Sequence, residues 1–158
     1  MKKIYTFFCC LVLLLTTSQL SATDFDVVNT GSNATVFITP ESSMTGEFST
    51  ISDIGVFYTN DSGDLACAGT SSFDAAGNFQ ITLWGSEAGE DNGMAVGEEL
   101  TWLAQAPNGY LYDVTPTYIG GEPTYSNDAI ILLSALDFSL IGSSVIVGCM
   151  DGHSPLYN

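Results

Sequence analysis

Residues 79–103, FQITLWGSEAGEDNGMAVGEELTWL, decide the fold. They predict two strands, each with a tryptophan, joined by an acidic, glycine-rich loop. Apolar and polar residues alternate before Gly85 and again after Glu98, and a period of two is typical of a strand with one buried face. By this parity Trp84 lies on the polar face of the first strand. Trp102 lies on the apolar face of the second strand, so we expect it in the core.

The acidic loop and a similar turn at residues 60–64 (NDSGD) offer ligands for calcium. Calcium prefers carboxylate and carbonyl oxygens on flexible loops. Neither segment has EF-hand spacing, so the alternative is an acidic surface without a specific ion. The candidate metal ligands are Asp61, Asp64, Glu87, Glu90 and Asp91.

Trp84 is also the main candidate for ligand binding. Aromatic rings beside polar groups are a common platform for stacking sugars, because they combine apolar contact with hydrogen bonding. Tyr118 and Tyr125 lie in a segment predicted to be loop and could line a groove, and Asn92 could bond to sugar hydroxyls. The alternative is that Trp84 packs under the acidic loop and holds its shape, since tryptophan is well buried on average.

The rest of the chain alternates short apolar segments with turns. Strands are predicted at residues 34–39, 53–58, 65–69, 110–114 and 140–147, whereas 41–50 and 115–127 are predicted to be irregular. Residues 129–136 suit either a short helix or a strand buried on both faces, and the all-β company favours the strand. Turns at intervals of roughly 8–12 residues predict an all-β fold, an antiparallel β-sandwich in a single domain.

Residues 1–22 predict a cleaved secretory signal peptide. Two lysines precede an apolar run that is too short to span a membrane, and small residues end at Ala22. We therefore expect a secreted or cell-surface protein whose mature domain is 23–158, with no membrane insertion of the mature chain. Residues 150–158 are predicted to be a mobile tail.

The mature chain is strongly acidic. Both lysines precede residue 22 and all 18 acidic residues follow it, so residues 23–158 carry a formal charge of −18 with His153 neutral. Nucleic acid and anionic membranes need cationic contacts, so both are excluded as partners. The expected partner is an extracellular polysaccharide or a surface protein.

Two cysteines remain after cleavage, Cys67 and Cys149. A lone pair in an exported protein usually forms a disulfide. Closing so long a loop is worth about 4 kcal/mol in the chain-entropy model, less any strain in the native state. The alternative is two buried thiols.

Five motifs occur in the order seen in a known family: TGSNATV at 30–36, DIGVF at 53–57, GDLACAG at 63–69, ITLWG at 81–85 and NGMAVGE at 92–98. They resemble the TG-N-MTV, D-EIGVF, G-LCVGA, ITVWGDD and DG---GE motifs of a repeated β domain in secreted and surface proteins of Bacteroidetes-type bacteria. The resemblance covers about residues 30–136 and implies an extracellular β-rich module. No activity or catalytic residue follows from it. The chain departs from the pattern at Ser86 and Glu87, where the family has two aspartates.

The inventory of reactive residues argues against catalysis. The only imidazole, His153, lies in the predicted tail, where a base is not held in position. Glu98 and Glu99 are adjacent and on a strand would point to opposite faces. No hydrolase or phosphate-loop motif is present. We therefore predict a non-catalytic binding or adhesion module. The alternative is a structural or self-assembling subunit of an extracellular layer, and the third candidate is a secreted hydrolase.

Overall fold

The computed structural model describes residues 25–76 and 79–143. Within these ranges the chain forms seven strands and no helix. The strands are β1 (Asn33–Gly46), β2 (Asp53–Thr59), β3 (Leu65–Ser72), β4 (Phe79–Trp84), β5 (Thr101–Gln105), β6 (Tyr110–Gly120) and β7 (Ile130–Ser143). The all-β prediction is confirmed, and the ambiguous segment at 129–136 forms a strand from Ile130. The predicted signal peptide, the predicted tail and His153 lie outside the described residues.

All seven strands belong to one hydrogen-bonded sheet in the order β3-β2-β5-β6-β7-β1-β4. Five neighbouring pairs are antiparallel. The sixth pair, β1 and β7, is parallel, which corrects the prediction of wholly antiparallel pairing. A parallel pair needs a long connection between its strands, and here all the intervening strands supply it.

The sheet curls so that its two edge strands, β3 and β4, come together. The closest approach is at Gly69 of β3, where an added Cβ would overlap the carbonyl oxygen of Thr82 in β4. A glycine is needed at this point because two backbones approach each other without room for a side chain.

Apolar side chains fill the inner face of the curled sheet. In β4, Phe79, Ile81 and Leu83 are buried while Gln80 is exposed, as the alternation predicts. Trp102 is only 3% exposed, which confirms it as a core residue. Burying each large aliphatic or aromatic side chain stabilises the fold by about 1.5–3 kcal/mol.

A second, smaller apolar cluster covers the outer face of β2, β3 and β5. Phe57, Cys67 and Leu103 are buried there beneath Phe25 and Val27. The Phe25 ring meets the Phe57 ring edge-on, with centroids 5.1 Å apart. Cys67 is therefore in apolar surroundings. Because Cys149 lies outside the described residues, the predicted disulfide stays a prediction.

Two strands are longer than predicted. β1 continues past residue 40 to Gly46, and β6 continues past Pro116 to Gly120. Both extensions pair with β7, which has 14 residues and lies between them. The segments predicted to be irregular at 41–46 and 115–120 are strands because this long-range pairing overrides their weak local β-propensity.

Candidate functional site

The acidic loop, residues 86–93, is closed at its base by backbone hydrogen bonds. The amide of Met94 donates to the carbonyl of Trp84 at 3.0 Å, and the amide of Ser86 donates to the carbonyl of Met94 at 2.9 Å. Inside the loop, Asn92 Oδ1 accepts from the amide of Glu87 at 3.0 Å, and Asn92 Nδ2 donates to Glu87 Oε2 at 3.1 Å. Asn92 and Glu87 therefore brace the loop, and their polar atoms are engaged with each other.

The turn at residues 60–64 lies against this loop. Its acidic composition alone did not predict this contact. The amide of Asp61 donates to Asp91 Oδ2 at 2.6 Å. Glu98 accepts two more backbone amides, from Thr59 at 3.1 Å and Ala95 at 2.9 Å. Carboxylates that accept N–H groups form strong, charge-assisted hydrogen bonds. Asp91 and Glu98 therefore join the two acidic segments to the end of β2.

A depression of about 640 Å³ lies between the two acidic segments. Of the predicted metal ligands, Asp61, Glu90 and Asp91 line it, together with Glu98, which the ligand prediction did not include. Glu87 and Asp64 do not line it. Across the described part of the chain, no group of three or more His, Cys, Asp or Glu side chains is arranged to hold a metal ion.

Tyr58, at the end of β2, forms part of the wall of this depression. It is 7% exposed, and its hydroxyl donates to the carbonyl of Asp91 at 3.5 Å. Burial raises the pKa of the Tyr58 phenol above its usual value, and the negative charges of Asp91 and Glu98 raise it further. The phenol therefore stays a neutral donor at physiological pH.

Trp84 points away from the core, on the outer face that the strand parity predicts. It is partly exposed and belongs to neither of the two apolar clusters of the described residues. Its backbone carbonyl accepts the amide of Met94, which closes the base of the acidic loop. On the neighbouring strand, Asn33 is its cross-strand partner.

Tyr118 and Tyr125 lie in different surroundings from the Trp84 ring, and Tyr118 lines a separate depression of about 400 Å³ with Trp102 and Pro116. Tyr125 is 1% exposed, so its ring offers no face to a ligand. Tyr118 lies in β6 and accepts a hydrogen bond from the indole nitrogen of Trp102 at 3.0 Å. It packs against the core on the inner face, whereas Trp84 is on the outer face. Burial raises the pKa of Tyr118, and its bond to Trp102 partly offsets this.

A neutral patch extends from Trp84 along the outer face of β4, β1 and the start of β7. The cross-strand pairs are Asn33 with Trp84, Thr35 with Thr82 and Phe37 with Gln80. On the other side of β1, Ile130 pairs with Thr35 and Leu132 with Phe37. We call these eight residues the neutral face: Asn33, Thr35, Phe37, Gln80, Thr82, Trp84, Ile130 and Leu132.

Sequence reasoning missed most of the neutral face. Phe37 is 37% exposed and Ile130 is 61% exposed, although both belong to apolar segments. The alternation of β1 carried the signal for Phe37, because Val36 and Ile38 on either side of it are buried. Which strands adjoin β4 depends on the sheet order, and no local pattern encodes that order.

No family model, curated protein or solved structure matches this chain. The likeness to the Bacteroidetes domain therefore rests on the five motifs alone. Residues 25–76 and 79–143 form no helix that is long and apolar enough to cross a membrane.

Proposed function

We propose that this protein is a secreted, non-catalytic binding or adhesion module whose ligand is a neutral extracellular polysaccharide. The observation that carries the proposal is the position of Trp84, partly exposed at the end of β4, where a row of uncharged side chains on the outer face begins. An indole ring can stack on the apolar face of a sugar, and neighbouring amide and hydroxyl groups can bond to its hydroxyls.

Charge supports a neutral ligand over an anionic one. Every charged side chain after residue 22 is a carboxylate, so the domain has no cation to offer to a sulfate, phosphate or uronate group. An anionic polymer would be repelled by the field of the whole protein. An uncharged polysaccharide is not affected by that field.

The test is binding of Trp84→Ala to neutral glycans, measured by a glycan array and then by calorimetry. Because Trp84 is not in the core, its loss should abolish binding while costing less than the roughly 3–5 kcal/mol of a core aromatic truncation. Tyr110→Ala removes another exposed aromatic, outside the neutral face, and should bind normally. Full binding by Trp84→Ala would contradict the proposal.

The proposal extends to calcium as a stabiliser of the two acidic segments. It is supported by the proximity of Asp61, Asp91 and Glu98, because no lysine or arginine after residue 22 can relieve their repulsion. An ion that binds only the native state raises the melting temperature with its concentration. Magnesium at equal ionic strength is the control, and equal effects of both ions would mean screening without a calcium site.

The proposal also includes secretion, a disulfide bond and a sandwich arrangement of the sheet. Cleavage after Ala22 would release the domain outside the cell, as in the surface modules it resembles. A Cys67–Cys149 disulfide would then tie the last part of the chain to β3. Mass measurement of the secreted, denatured and alkylated protein tests both, because two alkyl adducts would exclude the disulfide. We describe the curled sheet, with β3 against β4, as a sandwich around one core.

The alternative, a self-assembling subunit, is less well supported. Such a subunit would expose long, unpaired edge strands. Here the edge strands β3 and β4 lie against each other, and Val27 forms a bridge with Cys67 in β3. Sedimentation of the mature protein, which we expect to be monomeric, distinguishes the two functions.

A further inference from the structure

We propose that the neutral face binds an extended chain of several uncharged sugars, with Phe37 as a second stacking ring beside Trp84. This inference rests on the binding function proposed above and assigns it a surface and a ligand length.

The spacing of the two rings follows from the strand register. Trp84 is opposite Asn33, and Phe37 lies four residues further along β1. At about 3.3 Å per residue, the two rows are about 13 Å apart along the strands. One sugar ring cannot contact both side chains, so both are used only by an oligomer.

The residues between the two rings are suited to sugar hydroxyls. Thr35 and Thr82 form the cross-strand pair that lies between the two aromatic rows. Each hydroxyl can donate one hydrogen bond and accept others. The amides of Asn33 and Gln80 stand opposite Trp84 and Phe37, so each ring has a polar neighbour for the hydroxyls at the sugar's edge.

The charge of the mature chain favours a polysaccharide over a second copy of this chain as the ligand of the neutral face. None of the eight side chains is charged, yet the mature chain carries −18. Two copies docked through this face would bring two strongly acidic bodies together, which is unfavourable. A neutral polymer covers the face without that repulsion.

The experiment uses the neutral oligosaccharide series that binds best on a glycan array, titrated from monomer to hexamer. Affinity should rise with length and level off once the oligomer reaches both rings. Phe37→Ala should lose about tenfold in affinity for the hexamer, or about 1.4 kcal/mol, and nothing for the dimer. Trp84→Ala should lose affinity for both, and Ile119→Ala, an exposed apolar change on β6, should lose neither.

The outcomes separate this inference from the proposed function. If the hexamer binds and Phe37→Ala binds it equally well, the binding function stands and the two-ring surface is wrong. If no neutral oligosaccharide binds, both proposals fail. Self-association that Phe37→Ala abolishes would make the face an interface between copies. If Phe37→Ala lowered the melting temperature as much as a core substitution does, the chain itself would cover Phe37. That result, like self-association through the face, would overturn the inference.

Discussion

At the scale of single residues, Gly85 shows how tightly the end of β4 is constrained. An added Cβ would overlap the hydroxyl of Tyr125 and would lie 2.7 Å from Ser32 Oγ. The carbonyl of Gly85 also accepts a hydrogen bond from Thr30 Oγ1 at 2.5 Å. The pair Trp84-Gly85 thus places a large ring outside the sheet directly beside a position that has no room for a side chain.

Removal of the Tyr125 hydroxyl is predicted to increase the free energy of unfolding. The hydroxyl is buried, and among the described residues it has no hydrogen-bond partner. A buried, unsatisfied hydroxyl costs about 1–3 kcal/mol, so Tyr125→Phe should raise the free energy of unfolding by about 1 kcal/mol in urea denaturation. Tyr58→Phe is the control, because its hydroxyl has an acceptor and its loss should not stabilise the protein. A destabilised Tyr125→Phe would contradict the prediction, because it would mean that the hydroxyl contributes to stability.

Side-chain direction was predictable where it depends on local alternation and not where it depends on distant packing. The outward position of Trp84 and the burial of Trp102 both follow from a period of two within one strand. The burial of Tyr125 depends on contact with Gly85, 40 positions earlier in the chain. A loop composition rich in Pro, Gly and Tyr carries no information about that contact.

At the scale of strands and loops, β7 organises one side of the sheet. Its middle part, residues 132–138, is paired on both sides, with β1 and β6. Its apolar run predicted burial on both faces, but Ile130 is 61% exposed while Ile131 is fully buried. An apolar run is therefore consistent with a strand that buries one face and offers the other to a partner. The neutral face includes that second side of β7.

Glu98 links two elements, and its replacement tests that link. Its carboxylate accepts the amides of Thr59, at the end of β2, and Ala95, in the turn before β5. Glu98→Gln leaves one acceptor oxygen in place of two and removes the charge, so the free energy of unfolding should fall by about 1–3 kcal/mol. Urea denaturation measures this change.

Glu99→Gln is the matched control for Glu98→Gln. It removes the same charge from the next residue, whose side chain is exposed. Its effect should lie within about 0.5 kcal/mol of zero, as for most surface substitutions. Equal losses from the two variants would show that net charge, and not the two amide bonds, determines the effect.

At the scale of the whole molecule, composition predicted the class and the charge but not the topology. Turn-separated β-branched segments were sufficient for an all-β fold. The parallel pairing of β1 with β7 joins strands at the two ends of the described chain. Its register depends on the complete sheet, so it could not be derived from any one segment.

Alkaline pH should destabilise the fold through two phenols whose pKa is raised, Tyr58 and Tyr118. Burial, with Asp91 and Glu98 nearby, holds the Tyr58 pKa in the folded state above the value near 10 that applies when the chain is unfolded. Between those two values the unfolded chain binds fewer protons than the folded one, so the free energy of unfolding falls as pH rises. The contribution is fully present below about pH 10 and is lost as pH rises through the folded pKa.

Urea denaturation at constant ionic strength, from about pH 8 to about pH 11.5, should show this decline and a shallower one for Tyr58→Phe. Tyr118 shifts in the same direction, so Tyr58→Phe should keep part of the decline. Identical slopes for the two proteins would show that Tyr58 ionises in the folded state as it does in the unfolded chain.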